Sequence, residues 1–259
     1  MPKPPLNAEQ ARVVQEKIVT LNLPIDELIG TLAPVAQFDA AGDSSRTKLG
    51  CAAAVAFLVG LIVTFVDVVP FHVVIGIGLI AVGVVLVVVT SRRKAEDLSD
   101  NLRQCAVPFL VALREDFGSE PIEVKLDLRP PTISEKQMSK EKVDKVTTTI
   151  YSDPWMSGDG VLHDGSRLRW NVVETIIEKS YWKRGRSGKQ KLKNKKKKRV
   201  EIEIDLTLRA KTYGVAGDEK KQTLHAEAKL KRDTLDPIPP DEIINVIAKL
   251  YAQAQPAAS

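Results

Sequence analysis

Lysine and arginine crowd into one short stretch of this chain, and a dense block of cations is chemistry for holding anions. From Lys183 to Arg199, 17 residues carry 11 basic side chains and no acid: Lys183, Arg184, Arg186, Lys189, Lys191, Lys193, Lys195, Lys196, Lys197, Lys198 and Arg199. The formal charge of +5 combines +11 from this run with −6 from everything else, so the basicity is local. Tyr181 and Trp182 immediately precede the run, where amphipathic rings suit anchoring at headgroup level. Each basic residue near an anionic bilayer contributes roughly 1 kcal/mol within a Debye length of about 8–10 Å. Three surroundings fit the run: solvent alone, anionic lipid headgroups, or nucleic acid stacked on the aromatics. Nucleic acid is disfavoured, because nothing else in the chain resembles a nucleic-acid-binding module.

Catalytic patterns are missing. The three histidines, His72, His163 and His225, offer no metal-ligand spacing. No glycine-flanked serine elbow is present. Gly185-Arg186-Ser187-Gly188-Lys189 fails as a phosphate loop: Lys183 stands at the first glycine position and Gln190 follows where Ser or Thr is required. Val74–Ala81 matches a dinucleotide fingerprint by letter, with Glu96 downstream, but the context is a long apolar run instead of strand, turn and helix. Asp159, His163 and Asp164 gather near one turn, a pattern that ordinary Asp-Gly turn chemistry also produces. The expectation is therefore no enzyme, no cofactor and no metal. The rival class is an enzyme whose site is assembled from scattered residues.

The element that sets location is Leu49–Thr90, which carries one formal charge, Asp67. Residues 49–66 and 71–90 are each long enough to cross a hydrocarbon core of roughly 30 Å. Asp67-Val68-Val69-Pro70 reads as the turn between them, since proline cannot continue a helical ladder. Arg46 and Lys48 precede the first span, and Arg92, Arg93 and Lys94 follow the second. The connecting turn has no basic residue. The positive-inside rule then places both termini in the cytoplasm, with a bacterial inner membrane as the expected setting. Ala52, Ala56 and Gly60 form one small-residue stripe, and Gly76 and Gly83 lie a heptad apart on the second span. Such stripes permit close helix packing, within the hairpin or in a homo-oligomer. The polar first 48 residues show no cleavable leader. Two cysteines, Cys51 and Cys105, give no disulfide framework.

Flanking segments read as membrane-proximal helices. Asn7 with Gln10 forms a weak capping box, and Ala11, Val14, Ile18 and Leu21 trace one helical face. A shorter helix follows Pro24, with Gly42–Ser45 as the hinge into the membrane. Leu98, Leu102, Cys105, Phe109, Leu113 and Phe117 make a stripe along a helix from about Ser91 to Phe117, kinked at Pro108.

After Gly118 the apolar period changes to 2. Strict alternation at 122–129, 200–209 and 224–231 marks antiparallel strands with one wet face. Less regular strands fall at Val143–Tyr151 and Leu168–Trp182, with short pairing around Gly160–His163. Turns are expected at Ser157–Gly160, Asp164-Gly165 and Gly217-Asp218. Asp241 caps a final helix whose face is Ile243, Val246, Ile247, Leu250 and Tyr251. This element order resembles that of pleckstrin-homology-like domains, with no accompanying motif.

The resulting expectation is a membrane α+β protein. Residues 1–48 form cytoplasmic amphipathic helices, 49–90 the transmembrane hairpin and 91–118 a membrane-proximal helix. Residues 119–236 form an antiparallel roll or sandwich with a basic hairpin arm at 183–199, and 237–259 the closing helix and tail. Its function is partner binding or scaffolding, with anionic lipid headgroups, a protein partner or a second copy as the expected contacts.

Overall fold

A computed structural model describes residues 4–65, 71–93, 97–184, 189–209, 213–215 and 223–256. In chain order the elements are α1 (Ala8–Glu16), β1 (Ile18–Leu23), α2 (Ile25–Phe65), α3 (His72–Arg93), α4 (Val107–Ala112), β2 (Ile122–Asp127), β3 (Gln137–Val143), β4 (Val146–Val161), β5 (Arg167–Arg184), β6 (Gln190–Thr207), β7 (Tyr213–Val215), β8 (Thr223–Arg232), α5 (Pro240–Tyr251) and β9 (Ala254–Pro256). The chain divides into two compact units, one of Met1–Gln15 with Pro34–Leu98, the other of Glu16–Ala33 with Ser99–Ser259.

In the first unit, the capping box at the start of α1 is reciprocal. The Gln10 amide donates to Asn7 Oδ1 at 2.8 Å and the Asn7 amide to Gln10 Oε1 at 3.0 Å. The unit also holds the apolar part of α2 and all of α3. Both helices are long and apolar enough to cross a membrane, and only 11 % of each apolar window is buried. Glycine sets their contact. A Cβ on Gly76 would lie 2.1 Å from Thr64 Oγ1, one on Gly60 2.9 Å from Ile80, and one on Gly83 2.9 Å from Phe57. Ala53 is buried and Ala56 half-buried, whereas Ala52 is exposed, so the contact stripe starts one residue later than the four-residue spacing suggested. The expected turn at Asp67–Pro70 lies outside the described residues.

The second unit is built on one open, fully antiparallel seven-stranded sheet, ordered β1-β2-β4-β5-β6-β8, with β3 attached to β4. Its buried face is apolar along every long strand: Ile122, Val124 and Leu126; Leu168, Trp170 and Val172; Val200, Ile202, Ile204 and Leu206. At about 1.5–3 kcal/mol per fully buried side chain, this face is the main source of stability. A five-residue π-helical turn, Leu102–Ala106, leads into α4, and α5 packs beside them on β6 and β8. Phe109 meets Trp170 edge-on at 5.5 Å.

Several expectations are corrected. The helical face extrapolated from α1 to Ile18 and Leu21 does not exist: Lys17 adopts φ 58°, ends α1, and releases Ile18–Leu23 as an edge strand paired with β2. The helix after Pro24 is not short and has no hinge at Gly42–Ser45, for α2 runs 41 residues with Pro34 inside it. The helix expected from Ser91 to Phe117 is interrupted at 97–99, and Pro108 lies inside the continuous helix Leu102–Ala112, just after its π-helical turn, where its missing N–H removes a ladder bond. β4 passes straight through Ser157–Gly160 where a turn was expected. Gly158 makes room for the Trp170 indole, 2.1 Å from where its Cβ would stand, and Gly160 for Phe117. Asp164-Gly165 is a turn, with Gly165 at φ 82°. Gly217-Asp218 lies outside the described residues. α5 begins at Pro240, so Asp241 is in its first turn instead of capping it. An open seven-stranded sheet with helices on one face, accompanied by a two-stranded β7–β9 ribbon, replaces the expected roll or sandwich.

Candidate functional site

The basic run folds as β-strand, and the two-residue period of a strand decides where its charges point. On β5 the buried face takes Trp170, Val172, Glu174 and Ile176, so Asn171, Val173, Thr175, Ile177, Lys179, Tyr181 and Lys183 fall on the opposite, open face. β6 pairs with β5 in continuous register, placing Lys191 opposite Lys183, Lys193 opposite Tyr181, Lys195 opposite Lys179 and Lys197 opposite Ile177. Arg199 joins them on the same face, opposite Lys231 of β8. The intervening positions are mostly neutral: Gln190, Leu192 and Asn194. From Gln190 to Lys195 the run is therefore one-sided, and Lys196 and Lys198 fall on the other face.

Strand β8 ends its pairing at Lys198, so Gln190–Lys197 of β6 form a free edge, and every one of these residues is exposed. β5 likewise outruns β4 beyond Tyr181. With β3 and the first half of β4, these strands make a blade extending past the region whose buried face the helices cover. Lys140, Lys142 and Lys145 add to its charge against Glu141, Asp144 and Glu178. The β3 contribution left no mark in the sequence pattern, since Gln137–Val143 is exposed at six of seven positions and has no apolar period.

Like charges directly opposite one another are destabilising in a sheet, and here Lys179–Lys195, Lys183–Lys191 and Arg199–Lys231 are opposed in register. Among the described residues none of Lys179, Lys183, Lys191, Lys193, Lys195 or Arg199 has an ion pair, whereas Lys197 reaches Asp233 at 3.1 Å and Lys196 pairs with Glu178. Arg186 lies outside the described residues. Tyr181 is half-buried on the open face, and Trp182 (56 % exposed) is on the other, beside Leu192. The two aromatics expected to act together thus face opposite ways.

Lys198 is removed from the anion-binding set. It is 1 % exposed, with Nζ 3.0 Å from Glu174 Oε1 and 3.3 Å from the Leu235 carbonyl. Glu174 is the register partner of Asp153, also buried, whose Oδ1 lies 2.7 Å from Lys136 Nζ. Two acids and two lysines thus form a charged layer inside the root of the blade. Burial pushes the Asp153 carboxyl up to about 6, against the pull of Lys136. Burial, with Glu174 nearby, pushes the Cys105 thiol up to about 12, so this cysteine is an unreactive core residue.

The opposite end of the open face carries similar residue types in a different arrangement. Glu123, Asp159, Arg169, Asp205 and His225 form one register row across five strands. They border a shallow groove of about 310 Å³. Its charges satisfy one another. Asp159 accepts from Arg167 at 2.5 Å and Arg169 at 2.7 Å, Asp205 meets His225 Nδ1 at 2.7 Å, and Glu123 meets Lys125 at 2.8 Å. Burial raises the Asp159 carboxyl, but the two guanidinium groups outweigh it and hold it below the usual carboxylate range. Asp159 is thereby committed to arginine, which dissolves the Asp159–His163–Asp164 grouping as a metal site.

In the first unit Asp39, Asp43 and Asp97 bring carboxylate oxygens within 4.8 Å of one another. Arg46 bonds to Asp43 and, at 2.5 Å, to Asp97, while the Leu98 amide donates to Asp39 at 3.1 Å. A guanidinium supplies the positive charge this trio needs. The chain matches no family model, no curated protein and no solved structure.

Proposed function

We propose that this chain is a non-enzymatic integral membrane protein whose sheet domain uses the open face of its blade to bind an anionic surface, the headgroups of acidic lipids. The observation that carries this reading is the set of lysines opposed in register without internal acids. A sheet that places Lys179 against Lys195 and Lys183 against Lys191 bears a repulsion that an external anion relieves. Within the blade, lysine outnumbers arginine six to one on this face, Lys179, Lys183, Lys191, Lys193, Lys195 and Lys197 against Arg199. Point charges on flexible stems suit a diffuse, mobile headgroup layer better than the planar forks used for fixed phosphates. Tyr181, Ile177 and Val146 between the cations supply apolar contact at the depth where amphipathic groups settle.

Membrane insertion is supported by the exposure of Leu58, Ile62, Phe65, Val74, Ile77 and Val85, none below 58 %. A soluble fold would bury such a surface. The basic flanks favour a cytoplasmic side for both termini, where the acidic leaflet lies. In a cysteine-free background, Val68→Cys should label with an impermeant maleimide from outside intact cells, and Ser134→Cys should label only after permeabilisation.

The direct test holds the full-length protein in phosphatidylcholine nanodiscs and measures capture by vesicles with or without phosphatidylserine. Capture that needs phosphatidylserine and disappears near 1 M salt, where the Debye length is about 3 Å, supports the reading. Equal capture by neutral vesicles, or indifference to salt, overturns it.

A further inference from the structure

The second unit also has a cleft of opposite character. It lies between α5 and the β4–β5 turn, has a volume of about 480 Å³, and is floored by apolar side chains, among them Leu113, Leu168 and Ile247. Its rim carries three acids, Glu115, Asp116 and Asp164, and one histidine, His163, and neither Lys nor Arg lines it. Among the described residues no ion pair involves these three acids. The rim is held in place locally, with the His163 amide donating to the Asp116 carbonyl at 2.8 Å and the Ser166 amide to Asp164 Oδ1 at 2.8 Å. Partial burial, then repulsion from Glu115 and Asp164, raises the Asp116 carboxyl above its ordinary value. A cation entering the cleft would remove that repulsion.

We propose that this cleft binds a small amphiphilic cation, an ammonium or guanidinium group carried on an aliphatic or aromatic body. The volume falls in the range of about 300–1,000 Å³ typical of small-ligand sites, and an apolar floor with a few charged groups at one edge is their usual composition. The size argues for a small molecule over a partner's helix, and the rim fixes the sign of its charge. The cleft calls for an apolar body, because a hydrated inorganic cation would leave the accessible apolar lining, Ile244 and Ala248 among it, facing water. This site is independent of the blade.

Calorimetric titration of the full-length protein in phosphatidylcholine nanodiscs tests it, with phenethylamine and benzyltrimethylammonium as probes and 2-phenylethanol as the neutral counterpart. Saturable binding of the amines, at least about tenfold tighter than the alcohol, is expected. Asp116→Asn combined with Asp164→Asn should weaken the amines about tenfold and leave the alcohol unchanged. Ala248→Trp, on the exposed side of α5 and aimed at filling the cleft, should abolish binding of all three while the thermal transition stays in place. Equal binding of alcohol and amine, no saturable binding of either amine at millimolar concentration, or full binding in the Ala248→Trp protein would overturn the proposal.

Discussion

Between root and tip, one pair of strands changes from a neutralised surface to an unneutralised one. At the root of β5 and β6, Asp159 holds two arginines, Asn171 donates to Glu203 at 3.0 Å, and buried Lys198 is matched to Glu174. Toward the tip, Lys191, Lys193 and Lys195 face Lys183, Tyr181 and Lys179. Pairing between β5 and β6 is continuous throughout, but β8 and then β4 end before the tip, so the tip differs both in its bare edges and in its side-chain chemistry. Charges that close on one another serve the fold, whereas the opposed lysines of the tip have no ion pair among the described residues.

The sharpest way to break this comparison is to exchange lysines within β6. Lys198→Met strands the Glu174 carboxylate in the core and should cost about 3–5 kcal/mol, the usual penalty for removing one member of a buried pair. Lys193→Met, five residues away and exposed, should change stability by no more than about 0.5 kcal/mol. The double variant Lys198→Met with Glu174→Met should recover most of the loss. Urea unfolding followed by tryptophan fluorescence reads all three, with Trp155 and Trp170 reporting from the buried face. Equal effects of Lys198→Met and Lys193→Met would show that the two lysines do the same job.

The second largest effect belongs to the tip. Replacing Lys183, Lys191, Lys193 and Lys195 by glutamine should remove about 4 kcal/mol of attraction to an acidic bilayer, at roughly 1 kcal/mol per residue. That is about a thousandfold loss in vesicle capture. Stability should hold or rise slightly, because two opposed lysine pairs are removed.

The strands were legible in the sequence where one face is buried against helices, as in Val200–Leu208, because burial there enforces strict alternation. In the blade only β3 was illegible, because both its faces are wet and nothing enforces a period; the arm at 183–199 was expected as a hairpin from the strands that flank it. β1 was misread for a different reason. Ile18 and Leu21 do continue the spacing of α1, and only the left-handed turn at Lys17, a backbone event with no glycine to announce it, converts the segment to strand. A sheet domain cut at residue 119 would lack β1 and would expose the edge of β2. The one-sidedness of the basic run from Gln190 to Lys195 follows from period 2 once its strand state is known. The burial of Lys198 required the packing of Leu235 and Glu174, which lie far away in sequence. The apolar cleft could not be foreseen, because its floor joins Leu113, Leu168 and Ile247 only through tertiary contact.

The charged layer inside the root carries a pH signature of its own. The Asp153 carboxyl sits near 6 in the folded protein against an ordinary 3.8, so the folded state holds its proton more tightly than the unfolded chain does. The stabilisation from that proton is complete below about pH 4 and is lost as pH rises through about 6, amounting to about 3 kcal/mol across the window. Unfolding free energy compared at pH 4 and pH 6.5 should show this decline in the native protein and a flatter profile in Asp153→Asn. Parallel profiles would mean that Asp153 is ionised throughout and fully served by Lys136.

The smallest effect is expected at the paired end of the open face, and its smallness is what the comparison requires. Glu123→Gln and Asp205→Asn each open an exposed ion pair, a change worth no more than about 0.5–1 kcal/mol. Neither should alter capture by acidic vesicles. From Lys197 to Asp205 along β6 is about 26 Å at roughly 3.3 Å per residue, more than two Debye lengths at physiological salt. Removing an acid there cannot strengthen the field felt at the tip. Vesicle capture at 0.15 M salt that rose several-fold in Asp205→Asn would show that the two ends act as one electrostatic surface, and the division between closed and open charges would have to be redrawn around the whole sheet.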